Sequence, residues 1–318
     1  MPAYLLKRIL SAIPVLLIVS IVIFLIIHIT PGNPASVILG EEATPEQIAE
    51  LEESLGLNLP IHQQYFNWIV GVFQGDLGTS FFMREPVTTS IADRIVPTFS
   101  LAVFAQIIAL VIAIPIGVLA ANKRGSMTDT TMMIFALLGM SIPSFLLALL
   151  LVLLFGVQLG WLPVAGYRAL TDGLMEHLKY LILPAISLGM IQAALIARMT
   201  RSSMLEVLNM NYIKSARAKG VKNFKLIVKH AFRNALLPIL TVVGQTFGSL
   251  ITGAVVVETV FNIPGIGQLI INSVERRDFA VIQGVILFIT FLYIVLNLII
   301  DILYGIVDPR VRLDRKGD

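Results

Sequence analysis

Residues 198–233 read RMTRSSMLEVLNMNYIKSARAKGVKNFKLIVKHAFR. Nine lysines and arginines (Arg198, Arg201, Lys214, Arg217, Lys219, Lys222, Lys225, Lys229 and Arg233) stand here against one acid, Glu206. Apolar runs at 180–197 and 235–257 flank the stretch. A cationic, helix-forming insert between two apolar runs is held at a membrane face, where another protein can push on it. The insert casts the chain as a transducer of movement, not as a catalyst.

Composition agrees. Of 318 residues, 57% are hydrophobic and 14% charged, and the mean hydropathy is +0.87. A soluble domain carries about a quarter charged residues. A bilayer core needs ~20 apolar residues in helical form, within a range of roughly 17–25. Six segments meet that length: 9–29, 99–121, 131–155, 180–197, 235–257 and 280–304. The predicted fold is all-α, a polytopic membrane protein with six transmembrane helices. Lys7 and Arg8 precede the first run as in a signal peptide. That run is too long, and residues 30–34 (TPGNP) lack a small-residue cleavage pattern, so it is read as an uncleaved anchor. Three parts follow: a cytoplasmic end and first span at 1–30, an extracytoplasmic loop at 31–98, and a five-helix core at 99–318 containing the insert at 198–234.

Lysines and arginines concentrate in loops on the cytoplasmic side. With the N-terminus inside, seventeen fall on inner segments and six on outer ones. Both termini and the basic insert are therefore expected in the cytoplasm. The first outer loop is acidic instead. In it, Thr44-Pro45-Glu46-Gln47 predicts a helix N-terminus, with an end at Gly56. Tyr65, Phe66, Trp68, Ile69, Val70 and Phe73 predict an amphipathic helix at the membrane face. This loop is either a cap on the spans or a receiver for an external binding protein.

Within the insert, Ser202 to Lys219 favours helix and Gly220 ends it. Asn223 is placed to cap a second short helix through Lys229. Ala216 and Gly220, four apart, share a helical face small enough for close approach. The flanking cations would give register and on-rate to a docking partner. Two plainer readings also account for the charge: attraction to anionic lipid and the general cationic bias of cytoplasmic loops.

Polar residues inside the spans are costly in lipid. Asn297 and Asp301 share a face of the last span, and Gln106, Gln192 and Gln245 either line a path or hold helices together. Gly244 and Gly248, with Thr252 four further on, form a small-residue stripe for close helix contact, with a partner or within the chain. Glu258 is expected in interfacial water at the end of the fifth span. Pro115, Pro143 and Pro184 are each expected to kink a span.

Several chemistries find no residues to carry them. The chain has no cysteine and four scattered histidines, matching no metal-ligand spacing. It has no phosphate loop, nucleophile elbow or zinc-protease motif. No catalytic residue, metal or cofactor is assigned to it. The basic patch lacks the aromatic platform of a nucleic-acid site.

Ordered motifs run through the chain. Lys7-Arg8-Ile9-Leu10 leads to Ile13-Pro14, and Gly75-Asp76-Leu77-Gly78-Thr79-Ser80 precedes Pro86-Val87. Arg198-Met199-Thr200-Arg201 leads to Tyr212, then Ala216-Arg217-Ala218-Lys219-Gly220, then Arg233-Asn234-Ala235-Leu236-Leu237-Pro238. Val257-Glu258-Thr259-Val260-Phe261 precedes Pro264-Gly265-Ile266-Gly267, and Asp308-Pro309-Arg310-Val311-Arg312 closes the series. In these the chain resembles the permease subunit of bacterial ABC importers for dipeptides and oligopeptides, whose relatives import nickel and glutathione. The resemblance implies a type I importer-like permease fold in the bacterial inner membrane. It implies a second homologous permease, two P-loop ATPases that bind ATP and Mg, and an external substrate-binding protein. The insert resembles the family's coupling loop, which carries Glu-Ala-Ala before its glycine. Here those positions hold Lys214, Ser215 and Ala216, and Pro238 follows Gly220 by eighteen residues where the general pattern has about thirteen. An ion-driven secondary transporter and a membrane adaptor are the other readings of the residues.

Overall fold

The computed structural model describes residues 2–29, 34–40 and 43–307. The 30–33 segment, Glu41 and Glu42, and the closing Asp308–Arg312 motif with its basic tail lie outside the described residues. The described residues fold into helices: α1 (Pro2–Ile29), α2 (Pro34–Leu39), α3 (Pro45–Ser54), α4 (Ile61–Phe73), α5 (Val87–Asn122), α6 (Met127–Ser141) and α7 (Ser144–Leu151). After them come α8 (Leu174–Leu208), α9 (Asn211–Ala218), α10 (Asn223–Lys225), α11 (Arg233–Val260), α12 (Ile266–Glu275) and α13 (Phe279–Val307). Two π-helical turns, Val152–Gln158 after α7 and Leu226–Phe232 between α10 and α11, continue helices without breaking them.

Two compact units divide the chain. One comprises Met1–Val96 with Gln268–Val295. Its small helices follow the turn chemistry of the sequence. Thr44 caps α3, its hydroxyl accepting from the Gln47 amide while the Gln47 side chain accepts from the Thr44 amide. Past its end Gly56 takes φ +67°, a left-handed conformation that favours glycine. Tyr65 and Trp68 of α4 pack on Phe24 of α1 at ring separations of 5.3 and 5.8 Å, and the hydroxyls of Ser20 and Tyr65 bond at 2.8 Å. The Gly75–Ser80 motif forms a tight turn in which Asp76 accepts from the Gly78 amide at 2.8 Å. Buried Ser80 then donates to Asp278 at 2.6 Å. A Cβ on Gly284 would lie 2.6 Å from Val87, so α13 passes close over the start of α5 there.

The other unit comprises Pro97–Gly267 and Leu296–Asp318. Its centre is α8, which packs on α6, α7 and α11. Against α5 the approach is close at two levels. A Cβ on Gly189 would lie 2.6 Å from the Ala105 carbonyl oxygen, and one on Gly117 2.6 Å from that of Ala197. Ala109, Ala113, Ala193, Ile196 and Ala197 fill the seam between these levels. Small side chains substitute for the hydrophobic drive that lipid removes, letting dispersion contacts form between backbones.

Among the described residues, four helices are long and apolar enough to cross a bilayer, and Leu10–Ile26 adds a shorter apolar run. The segment expected as one kinked span at 131–155 is instead a broken one. Its halves, Met127–Ser141 and Ser144–Gln158, meet at 98° around Pro143. Proline lacks an amide hydrogen and holds the preceding residue out of the α region; Ile142 sits at φ −90°, ψ 120°. Pro115 and Pro184, also expected to kink spans, lie inside unbroken helices.

Candidate functional site

The basic insert does not form the two short helices expected of it. α8 runs on to Leu208, a turn at Asn209 and Met210 follows, and α9 occupies Asn211–Ala218. Past Gly220 the chain enters a continuous helix from Asn223 through Val260. Asn223 is its first helical residue and not its cap, which is Lys222. The second helix is thus the leading end of α11.

α9 is amphipathic on a small scale. Ile213 is 1% exposed and sits in a cluster with Met204 and Val207 of α8, Leu226, Ile227 and Ala231 of the π turn, and Ala235 and Ile239 of α11. Ala216 packs partly buried against the same cluster. Ala216 therefore turns toward its own chain, apart from Gly220. Lys214, Ser215, Arg217, Ala218, Lys219 and Gly220 are exposed, as are Lys222, Phe224 and Lys225. Phe224, 80% exposed, makes an apolar knob among these cations. A polar clip adds to the anchor: Asn234 donates to the Tyr212 hydroxyl at 2.9 Å and to the His230 carbonyl at 2.7 Å. Gly220 takes φ +79°, and a Cβ there would meet nothing within 4 Å. Backbone conformation, not close packing inside the chain, accounts for this glycine.

About two turns before the end of α8, Arg201 forms a fork with Asp129 at the start of α6. Nε donates to Oδ1 at 2.6 Å and Nη2 to Oδ2 at 2.7 Å. The Asp129 side chain is 7% exposed and also accepts from the Gly125 amide at 3.0 Å. Planar pairs of this kind fix orientation as well as charge. The Lys123–Gly125 loop is thereby tied to the helix that leads into α9. Sequence reasoning passed over Asp129, although Ser126-x-x-Asp129 carries the spacing of a helix start.

Deeper in the same unit, α8 and α11 border a groove of about 630 Å³. Gln192, Arg198, Ser202, Gln245, Thr246 and Ser249 line it together with apolar Leu195, Met199 and Val242. Gln106 lies behind, buried, accepting from Thr246 at 3.4 Å. Gln245, Ser249 and Thr252 form an exposed polar stripe on α11. The glycines of that helix point elsewhere: a Cβ on Gly244 would lie 2.6 Å from Ile300 of α13, and Gly248 is buried. The small-residue stripe thus makes a contact within the chain at Gly244. Asn297 and Asp301 are half-buried on α13.

Glu258 is not in interfacial water. It is 0% exposed, its carboxylate accepts from Thr98 at 2.6 Å, and Thr98 in turn accepts from the Ile266 amide at 2.8 Å. Gly265 and Gly267 leave the room this carboxylate fills. The Val257–Phe261 and Pro264–Gly267 motifs are therefore two sides of one buried contact.

The chain is similar to known transport proteins. The family model of the binding-protein-dependent transport system inner membrane component matches residues 113–313, and its N-terminal counterpart matches residues 1–102. A Brucella abortus protein named as a peptide transport system permease is 48% identical over 99% of this chain and 100% of its own length. The glutathione transport system permease of Salmonella choleraesuis is 42% identical, over 97% of this chain and 98% of its own. Among solved structures, the inward-facing MetNI methionine ABC transporter matches in fold with a TM-score of 0.58 at 20% identity, covering 69% of this chain and 96% of that one.

Proposed function

Since the chain belongs to the family of binding-protein-dependent transport system inner membrane components, we propose that the ABC importer it serves carries short peptides, and that α9 with the leading end of α11 receives the ATPase. As a multi-pass inner-membrane permease subunit, it forms a translocation path and is not itself catalytic. Peptide import is named for relatives matching it from end to end, and the glutathione named for another is itself a tripeptide. ATP is hydrolysed on separate P-loop subunits, two per complex, with a second homologous permease alongside and a binding protein delivering cargo from outside. The loop charge bias supports both termini lying in the cytoplasm.

The observation that carries the coupling role is the two-sided build of α9. Its apolar side is buried in a cluster shared with α8 and α11, while its cationic side is exposed. A helix so placed passes a push from a partner directly to two spans. The test is reconstitution in liposomes with the companion permease, ATPases and binding protein. ATP-dependent uptake of a labelled dipeptide is expected, with none from the chain alone under an ion gradient. Ion-driven uptake by the chain alone would overturn the reading in favour of a secondary transporter.

A further inference from the structure

The groove between α8 and α11 has the chemistry of a ligand site. Arg198 is the single charged residue lining it, and no acid among the described residues engages its guanidinium. Gln192 lines the same groove at 8% exposure, and its buried Oε1 has no hydrogen-bond partner among the described residues. A buried acceptor without a partner is destabilising, so something outside this fold is expected to donate to it. Gln245, Ser202 and Ser249 add exposed amide and hydroxyl groups along the open side. Lipid does not suit this face, because polar groups turned to hydrocarbon are costly. The volume, about 630 Å³, falls within the roughly 300–1,000 Å³ of small-molecule sites.

We propose that this groove is a way-station for the cargo, in which Arg198 binds the free carboxylate of a peptide and Gln192 accepts from its amide or ammonium hydrogens. The inference rests on the peptide reading above. A guanidinium offers paired donors that match a carboxylate, and a carboxamide oxygen accepts only from N–H or O–H groups. One cation with neutral amides and hydroxyls suits a peptide terminus, whereas a bare phosphate headgroup would leave the Gln192 acceptor unmet. Arg198 lies nearer the α9 end of α8 than the Gly173 end, which by the proposed orientation puts the site in the cytoplasmic half of the path.

The experiment compares uptake of a dipeptide and its C-terminal amide by the full reconstituted complex, for wild type, Arg198→Lys and Arg198→Gln. Any preference of the binding protein is common to all three complexes and cancels in the acid-to-amide ratio. Arg198→Gln is expected to lower acid uptake about tenfold and to leave amide uptake within about twofold, while Arg198→Lys, which keeps the charge but loses the paired donors, falls between Arg198→Gln and wild type for the acid and stays within about twofold for the amide. If the wild type imports the acid but not the amide, the expected result is loss of acid uptake in Arg198→Gln and its partial retention in Arg198→Lys. Equal loss of acid and amide, or loss of complex assembly, assigns Arg198 to a partner subunit and overturns the proposal. Unchanged acid uptake in Arg198→Gln also overturns it. A wild-type complex that imports neither peptide overturns the peptide reading itself, which separates the two failures.

Discussion

Replacing Ile213 with alanine should uncouple ATP hydrolysis from uptake. Ile213 is 1% exposed and is the buried anchor of an eight-residue helix. Truncating a buried isoleucine to alanine costs about 2–5 kcal/mol, against about 0.5–1.5 kcal/mol for valine. Helices this short are unstable by themselves in water and depend on packing of one face. α9 has few other ties to the chain: the Tyr212–Asn234 clip and partly buried Ala216. Loss of even about 3 kcal/mol would shift its docked population by more than a hundredfold. The exposed cations are unchanged, so on the proposed docking ATPase binding should survive while the push should no longer reach the spans. The assay follows ATP hydrolysis and peptide uptake together in liposomes. Ile213→Ala should retain hydrolysis and lose more than tenfold in uptake, with Ile213→Val intermediate. If Ile213→Ala imports within about twofold of wild type in a correctly assembled complex, α9 does not transmit force through this cluster.

Substitutions at three further places test separate parts of the structure. Gly220→Asn should be tolerated, since asparagine accepts a left-handed backbone at small cost and a side chain there meets open space; Gly220→Trp should abolish uptake with the spans still inserted, because its bulk meets the ATPase, and full uptake by Gly220→Trp would remove the docking assignment. Asp129→Ala should destabilise the chain by about 2 kcal/mol, between the values for exposed and fully buried pairs, and the double variant Asp129→Ala with Arg201→Met should regain part of that loss, measured by thermal unfolding in detergent. Gly189→Leu should destabilise by about 1–3 kcal/mol by the same measurement, because its Cβ meets the Ala105 backbone oxygen, which cannot move aside as a side chain would.

Much of the fold was legible because lipid imposes strict local rules. Apolar length announced the helices, and Thr44 with Gln47 announced α3 through a purely local hydrogen-bond pattern. What stayed hidden depended on contacts distant in sequence. Glu258 looked like an end-of-span acid until Thr98, 160 residues away, was seen to donate to it. Asp129 pairs with Arg201 across 72 residues. Ala216 and Gly220 promised a shared small face, but burial of Ile213 turned Ala216 inward, and Gly220 answered to backbone conformation instead. The 98° break at Pro143 was read as a mere kink, since proline alone does not say whether neighbouring helices will support the span beyond it. Arg198 counts among the cations of the insert by sequence, but the packing of α8 on α11 forms a groove that it lines with Gln192.

That separation bears on how a push at α9 reaches the groove. α8 is unbroken from Leu174 to Leu208, so Arg198 and the α9 end of the helix move as one body about 15 Å long. α5 is locked to α8 by close backbone approach at Gly117 and Gly189 and should follow it. The breaks in the helical path lie elsewhere, at the turn of Asn209 and Met210 and at Gly220 with its positive φ. A force on α9 would be absorbed at those two points if nothing bridged them. The Ile213 cluster bridges the first by joining α9 to α8, and joins α9 to the far side of the second through Leu226 and Ile227. Tyr212 with Asn234 reinforces the second link. Both walls of the groove are thereby tied to one small helix. On the proposed docking, a single displacement of α9 would act on Arg198 and Gln245 together, and an uncoupled Ile213→Ala complex should bind peptide in the groove yet fail to move it.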